Sequence, residues 1–262
     1  MCTVEKRSPF GRTKLGQCYY SGISTAGVEG CVITRYRRRI PADVARKLRQ
    51  EAGFGCAKCG HPYLEYHHIV PWRDDQHYRV EDMVALCANC HANIDVYRAD
   101  RQYQLKYKPK NIVEDRVQGF LDFDKRDLIF RVGGNWFENV DTMIQFRNTP
   151  IVSARIIDNQ ARVSLNLFNS AGRLVLQVVD NEIALRASTF WDFECRQGVA
   201  IARSATRSIA LRMDFQGNEA SIEGEIWMGG KAVRLGREET SVGTNTLRNN
   251  RIVGSRVGIQ IG

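Results

Sequence analysis

Two cysteine pairs, Cys56-x2-Cys59 and Cys87-x2-Cys90, enclose almost the same stretch as all five histidines of the chain, which run from His61 to His91. Each Cys-x2-Cys turn aims two sulfurs at one centre, so the four thiols together offer the closed tetrahedral shell that zinc prefers. Four sulfurs leave no open position for substrate, which makes such a site structural. The first thirty residues lack the apolar core of a secretory signal. No run approaches the ~18 apolar residues of a membrane span. The expectation is therefore a cytoplasmic protein whose thiols stay reduced and bind metal instead of forming disulfides. Cys2, Cys18, Cys31 and Cys195 are left over and read as ordinary free cysteines.

Between the pairs run Glu65-Tyr66-His67-His68-Ile69-Val70-Pro71-Trp72 and then, past a polar loop, Glu81-Asp82-Met83-Val84-Ala85-Leu86-Cys87-Ala88-Asn89-Cys90-His91-Ala92-Asn93-Ile94-Asp95. Tyr66 to Val70 is rich in aromatic and β-branched residues and stops at Pro71, so it predicts a short strand. Val84 to Leu86 predicts a second strand, and Cys90 onward a helix. Neighbours on a strand point to opposite faces, so His67 and His68 must divide their work.

From Cys56 to about Asp95 the pattern resembles the HNH (ββα-metal) nuclease family, with its His-His pair, apolar residue and proline, and its Cys-x2-Cys-His at a helix start. The resemblance implies that His67 and His91 are ligands of a catalytic divalent cation, Mg2+ or another, and that His68 is the general base for the attacking water. Asp95, one turn beyond His91 on the expected helix, would share its face and complete or support that metal shell. The family's middle asparagine falls at Asp82. An ionised aspartate only accepts hydrogen bonds, whereas asparagine also donates. The resemblance thus puts Asp82 with His68 in the catalytic set; aspartate serves there if the position merely ties the loop by accepting, whereas the loop loosens if an amide must donate. His61 and His77 lie in turns and read as solvated or supporting residues, not ligands.

Positive charge gathers around this motif. Residues 1–110 hold 19 Lys and Arg against 11 Asp and Glu, and the remainder 19 against 18, within a net charge of +9. Arg35, Arg37, Arg38 and Arg39 precede the motif. A helix follows from Pro41 to about Ala52, with Val44, Ala45 and Leu48 as its apolar stripe and Arg46, Lys47 and Arg49 on the rest of its surface. Lys106, Lys108 and Lys110 look like a basic linker. The asymmetry points to DNA as partner, with Arg35, Arg37, Arg38, Arg39, Arg46 and Lys47 as phosphate contacts.

From about Val113 the text changes to short alternating apolar runs, such as Val163-Ser164-Leu165-Asn166-Leu167 and Leu174-Val175-Leu176-Gln177-Val178. Turn signals at Gly133-Gly134-Asn135, Asp180-Asn181 and Gly229-Gly230 separate roughly ten strands of a sandwich or barrel. Gly134-Asn135-Trp136-Phe137-Glu138-Asn139 is faintly echoed by Thr244-Asn245-Thr246-Leu247-Arg248-Asn249, which leaves stacked solenoid rungs as an alternative. Trp136, Trp191 and Trp227 are expected in the core. The apolar end, Val257 to Ile261, must close the sheet or pair across a subunit boundary.

The expected architecture is α+β: an N-terminal extension (1–34), a zinc-stapled ββα-metal nuclease module (35–100), a basic linker (101–112) and a β-rich recognition or assembly domain (113–262). The leading function is a metal-dependent DNA endonuclease, with restriction or anti-phage defence as its guessed setting, together with a partner protein or a homodimer through the β-domain. The alternatives are an inactive zinc-stabilised nucleic-acid-binding adaptor, or a ligand-sensing β-domain with the nuclease as effector.

Overall fold

Helix α1 (Ala42–Glu51) begins at Pro41, whose missing N–H costs nothing just ahead of the first turn. The computed structural model describes residues 39–217 and 219–262. Leu48 from α1 and Ala52 just past its end pack on Met83 and Ala85. Past the helix, Gly53 and Phe54 both take left-handed φ, 63° and 62°. That conformation is costly for a bulky side chain, by about 1–2 kcal/mol. Phe54 holds it with its ring buried among the β-rich core residues.

Strands β1 (Glu65–His68) and β2 (Met83–Leu86) form an antiparallel pair in which His67 faces Val84 and His68 faces Met83. β2 is buried on both faces. Met83 and Ala85 meet α1, whereas Val84 and Leu86 join Cys56, Ile69, Cys87, Cys90 and Ile94 on the other side. Helix α2 (Ala88–Ala92) is short, because the Asn93 side chain donates to the Asn89 carbonyl at 2.8 Å and closes its end. A 3-10 turn (Ile94–Val96) follows, then α3 (Ala99–Tyr107) and α4 (Lys110–Glu114). Residues 101–112, read as a basic linker, thus fall in α3 and α4 except for Lys108 and Pro109 between them. Lys106 is buried and paired with Glu51, and the Asn111 amide donates to the carbonyls of Gly53 and Gly60.

The β-rich part has more strands than the ten expected: β3 (Val117–Phe120), β4 (Ile129–Val132), β5 (Asn135–Glu138), β6 (Thr142–Phe146), β7 (Thr149–Ile157), β8 (Gln160–Phe168), β9 (Leu174–Val179), β10 (Glu182–Leu185), β11 (Asp192–Arg196), β12 (Val199–Ala205), β13 (Ser208–Asp214), β14 (Ala220–Met228), β15 (Lys231–Leu235), β16 (Glu239–Val242), β17 (Asn245–Arg248), β18 (Arg251–Val253) and β19 (Val257–Ile261). One sheet runs β19-β6-β7-β8-β9-β10-β3, and the other runs β11 through β17 in chain order, with β4, β5 and β18 joined to it at β14. Inward residues of both sheets share one core, so this is a sandwich of open sheets and not a closed barrel. Two-residue turns with positive φ at Gly133-Gly134, Asp180-Asn181 and Gly229-Gly230 match the turn signals, and Asp158-Asn159 adds one that sequence did not flag.

The solenoid alternative survives only locally. Arg251 pairs with Trp136, Val253 with Glu138, Val257 with Thr142 and Ile261 with Phe146, one parallel register that turns the corner between the sheets. Buried Asn135 locks that corner, donating to the carbonyls of Gly133 and Leu247 and accepting from Asn250. The terminal strand β19 therefore pairs with β6. The three tryptophans are not core. Asn135 and Phe137 are buried on either side of Trp136, and Ile226 and Met228 on either side of Trp227, so alternation turns both indoles outward. Arg131 stacks on Trp136 and Arg46 on Trp191.

Candidate active site

The two knuckles converge as expected. Cys56, Cys59, Cys87 and Cys90 place their sulfurs within 4.8 Å of one another, with Cys59 and Cys87 at 3.6 Å. A tetrahedral shell with metal–sulfur bonds of about 2.3 Å has sulfurs roughly 3.8 Å apart, so the donor set fits zinc. Burial pushes the Cys59 thiol up to about 11 and raises Cys90 as well. Burial opposes ionisation of Cys56 too, but backbone N–H groups of Cys59, Cys87 and Lys58 outweigh it and hold this thiol below its ordinary value. Cys195 is buried and unpaired, as read; Cys2, Cys18 and Cys31 lie outside the described residues.

Pleating separates the paired histidines. His67 faces α2 and α3, where its ring centroid lies 5.3 Å from that of His91. Each of these imidazoles spends one nitrogen on an oxygen: His67 Nε2 lies 3.0 Å from Gln102 Oε1, and His91 Nδ1 lies 2.7 Å from Glu65 Oε2. Each keeps its second nitrogen, which is a donor set suited to an open divalent site. Burial is the largest influence on His67 and lowers its pKa; Gln102 works against this, His91 and His68 lower it further, and Asp95 raises it. The net result favours the neutral, metal-binding form.

Asp95 does not sit on the helix that carries His91. α2 ends at Ala92, and Asp95 lies exposed in the 3-10 turn beyond, so the spacing argument for a shared helical face fails. Its carboxylate still acts on His67 through its charge. Among the described residues only the four cysteines bring three or more such ligand atoms within 4.8 Å.

His68 faces the opposite side, toward the loop after β1. Its Nε2 lies 3.0 Å from the His77 carbonyl, and the rings of Trp72 and His77 are each 5.2 Å away. A carbonyl only accepts, so the proton sits on Nε2 and Nδ1 is the basic nitrogen. His77, expected in a turn, is buried instead. Its Nδ1 accepts from Arg79 N at 3.1 Å and its Nε2 donates to the Val70 carbonyl, which pins both ends of the loop that orients His68. His61 remains exposed, accepting from Tyr63 N.

Asp82 works as an acceptor. Its carboxylate takes the Tyr103 hydroxyl at 2.7 Å and Arg79 Nε at 2.8 Å, and its backbone carbonyl takes Ile69 N at 2.8 Å. Aspartate therefore satisfies this position without an amide donor. The Tyr103 hydrogen bond, then Arg79, holds the carboxyl below its usual range. A depressed carboxyl stabilises the fold above the ordinary carboxylate pKa, and that stability is lost as pH falls through the folded value. Thermal melts across the acid range should show a shallower decline for Asp82→Asn than for wild type.

Sequence reasoning missed Glu65 and Gln102, of which only Glu65 had a signal, lying two residues before His67 on the same strand face; His77 had been read as a solvated or supporting residue. Arg35, Arg37 and Arg38 lie outside the described residues, while Arg39 and Lys47 are exposed. Arg46 is not a free phosphate contact, since its guanidinium covers Trp191 and approaches Asp192 at 3.8 Å. Beside it, Arg49 clamps the buried Asp192 carboxylate through Nε at 3.1 Å and Nη2 at 2.8 Å and gives Nη1 to the Tyr66 hydroxyl. Although burial works against its charge, these partners raise the Arg49 pKa. The bridge joins the sandwich to the strand that carries both histidines. Breaking it with Asp192→Ala strands a buried guanidinium and should cost about 3–5 kcal/mol in urea unfolding.

No helix among the described residues is long and apolar enough to cross a membrane. Comparison with curated proteins and with solved structures gave no match. The family model described as HNH endonuclease matches residues 55–95, the segment that holds the four cysteines, His67, His68 and His91, and this supports a nuclease-type function for that part of the chain.

Proposed function

We propose that this chain is a divalent-metal-dependent DNA endonuclease. The observation that carries the reading is the division of labour across β1: one face presents His67 beside His91, and the other holds His68 by the His77 carbonyl. His67 and His91 hold the cation, and Asp95 contributes charge beside them. Bound there, the cation would stabilise negative charge on the phosphate and on the leaving oxygen. His68, held at Nε2 by the His77 carbonyl, is the general base that takes a proton from the attacking water. Zinc in the cysteine shell braces the fold and takes no part in the reaction. The exposed Lys47 and Arg39 supply phosphate contacts. The sandwich, joined to the catalytic strand through Asp192 and Arg49, serves as the arm that selects target or partner.

Cleavage of supercoiled plasmid in Mn2+ tests the ligand assignment. His91→Ala should cut at least about 10-fold more slowly than wild type at limiting Mn2+ and recover in part as Mn2+ rises. A rate equal to wild type at every Mn2+ concentration would remove His91 from the site. Duplex binding without cleavage by any form would favour the adaptor.

A further inference from the structure

Gln102 lies on α3, beyond the segment that matches the nuclease family, yet it is buried against the proposed cation site. Its amide has one arrangement that satisfies its surroundings. At one end stand the carbonyls of Tyr97 and Ile94, 2.9 and 3.5 Å from Nε2. Carbonyl oxygens only accept, so this end must be the NH2 group. The other end, Oε1, then faces His67 Nε2 at 3.0 Å, and an amide oxygen also only accepts. The His67 proton must therefore sit on Nε2, leaving the lone pair on Nδ1. At His91 the order is reversed. The Glu65 carboxylate accepts from Nδ1–H and leaves the lone pair on Nε2.

We infer that Gln102 is a positioning residue that fixes His67 as the Nε2–H tautomer, so that His67 offers Nδ1 to the divalent cation while His91, oriented by Glu65, offers Nε2. The inference rests on the cation assignment proposed above. The two imidazoles thus enter the site through different nitrogens, each chosen by an oxygen behind it. A histidine anchored this way loses no free energy to tautomer exchange when the ion arrives. The anchor is itself rigid, since the Gln102 amide is held by two backbone carbonyls.

The test is long-range 1H–15N correlation spectroscopy of the histidine rings in full-length protein with its cysteine-bound metal in place, before and after addition of Zn2+ as a diamagnetic probe. Wild type should show His67 protonated at Nε2 and His91 at Nδ1, and added Zn2+ should shift His67 Nδ1 and His91 Nε2. Gln102→Met, which removes the oxygen, should give a mixture of His67 tautomers and weaken Zn2+ binding about 10- to 100-fold. Gln102→Glu keeps an acceptor toward His67 but must carry a proton on its other oxygen to meet the Tyr97 and Ile94 carbonyls; while that proton is held it should retain the Nε2–H form, an outcome that a loss of packing alone would not produce. A wild-type His67 protonated at Nδ1, an unchanged tautomer in Gln102→Met, or a Zn2+ shift confined to His67 Nε2 would each overturn the inference. Plasmid cleavage by the same wild-type sample is scored separately, so a sample that fails to cut defeats the nuclease reading whatever its spectra show.

Discussion

His68→Ala is expected to bind duplex DNA as wild type does and to cleave it about 10²–10⁴ times more slowly, a loss of roughly 2.7–5.5 kcal/mol of transition-state stabilisation. The size follows from what the imidazole does. Water is a poor nucleophile until a base with a pKa near neutrality takes its proton, and His68 is the imidazole that the His77 carbonyl holds on this side of β1. His68 is fixed by the His77 carbonyl and flanked by Trp72 and Tyr78, so its ring keeps one orientation. His77 is pinned in turn by Val70 and Arg79, and β1 by the bond from Ile69 N to the Asp82 carbonyl. Single-turnover rates at saturating protein separate this loss from binding. A rate within about threefold of wild type would show that another group is the base.

Removing the metal from the cysteine shell should have the larger structural effect. On the cysteine side of β2 the core holds only Ala57, Ile69, Val84, Leu86 and Ile94 beside Cys56, Cys87 and Cys90, and the other side packs on Leu48 and Ala52. So few apolar side chains cannot offset the entropy of ordering the segment, and structural zinc supplies on the order of 10 kcal/mol in comparable small modules. The sandwich has its own extensive core. Cys90→Ser, or stripping by a strong chelator, should therefore abolish amide-exchange protection across residues 55–95 and leave the strands from β6 to β15 protected. Protection retained across both parts would mean that packing, and not metal, holds the knuckles.

What could be read from sequence was chemistry that constrains its own spacing. The knuckles were legible because a tetrahedral shell requires two close pairs of sulfurs, and the strand that carries His67 and His68 because aromatic and β-branched residues run up to a proline. The turns at Gly133, Asp180 and Gly229 were legible because left-handed backbone favours glycine, asparagine and aspartate. Roles fixed by tertiary placement were not. Gln102 and His77 act through partners that only folding brings near. Asp95 was misplaced because a side-chain cap at Asn93 ends the helix early. Arg46 was assigned to DNA on charge alone, and sequence did not show that its guanidinium also covers Trp191 and lies beside Asp192. The tryptophans were assigned by residue type, although the parity of Ile226 and Met228 already placed Trp227 outside.

The most direct test of a cation-dependent nuclease is conversion of supercoiled plasmid by the wild-type protein, with its cysteine-bound metal intact, in Mg2+ or Mn2+ and in EDTA. Nicking that needs the divalent ion and stops in EDTA is the predicted result. Plasmid left uncut with either ion, or cut equally well in EDTA, would contradict it.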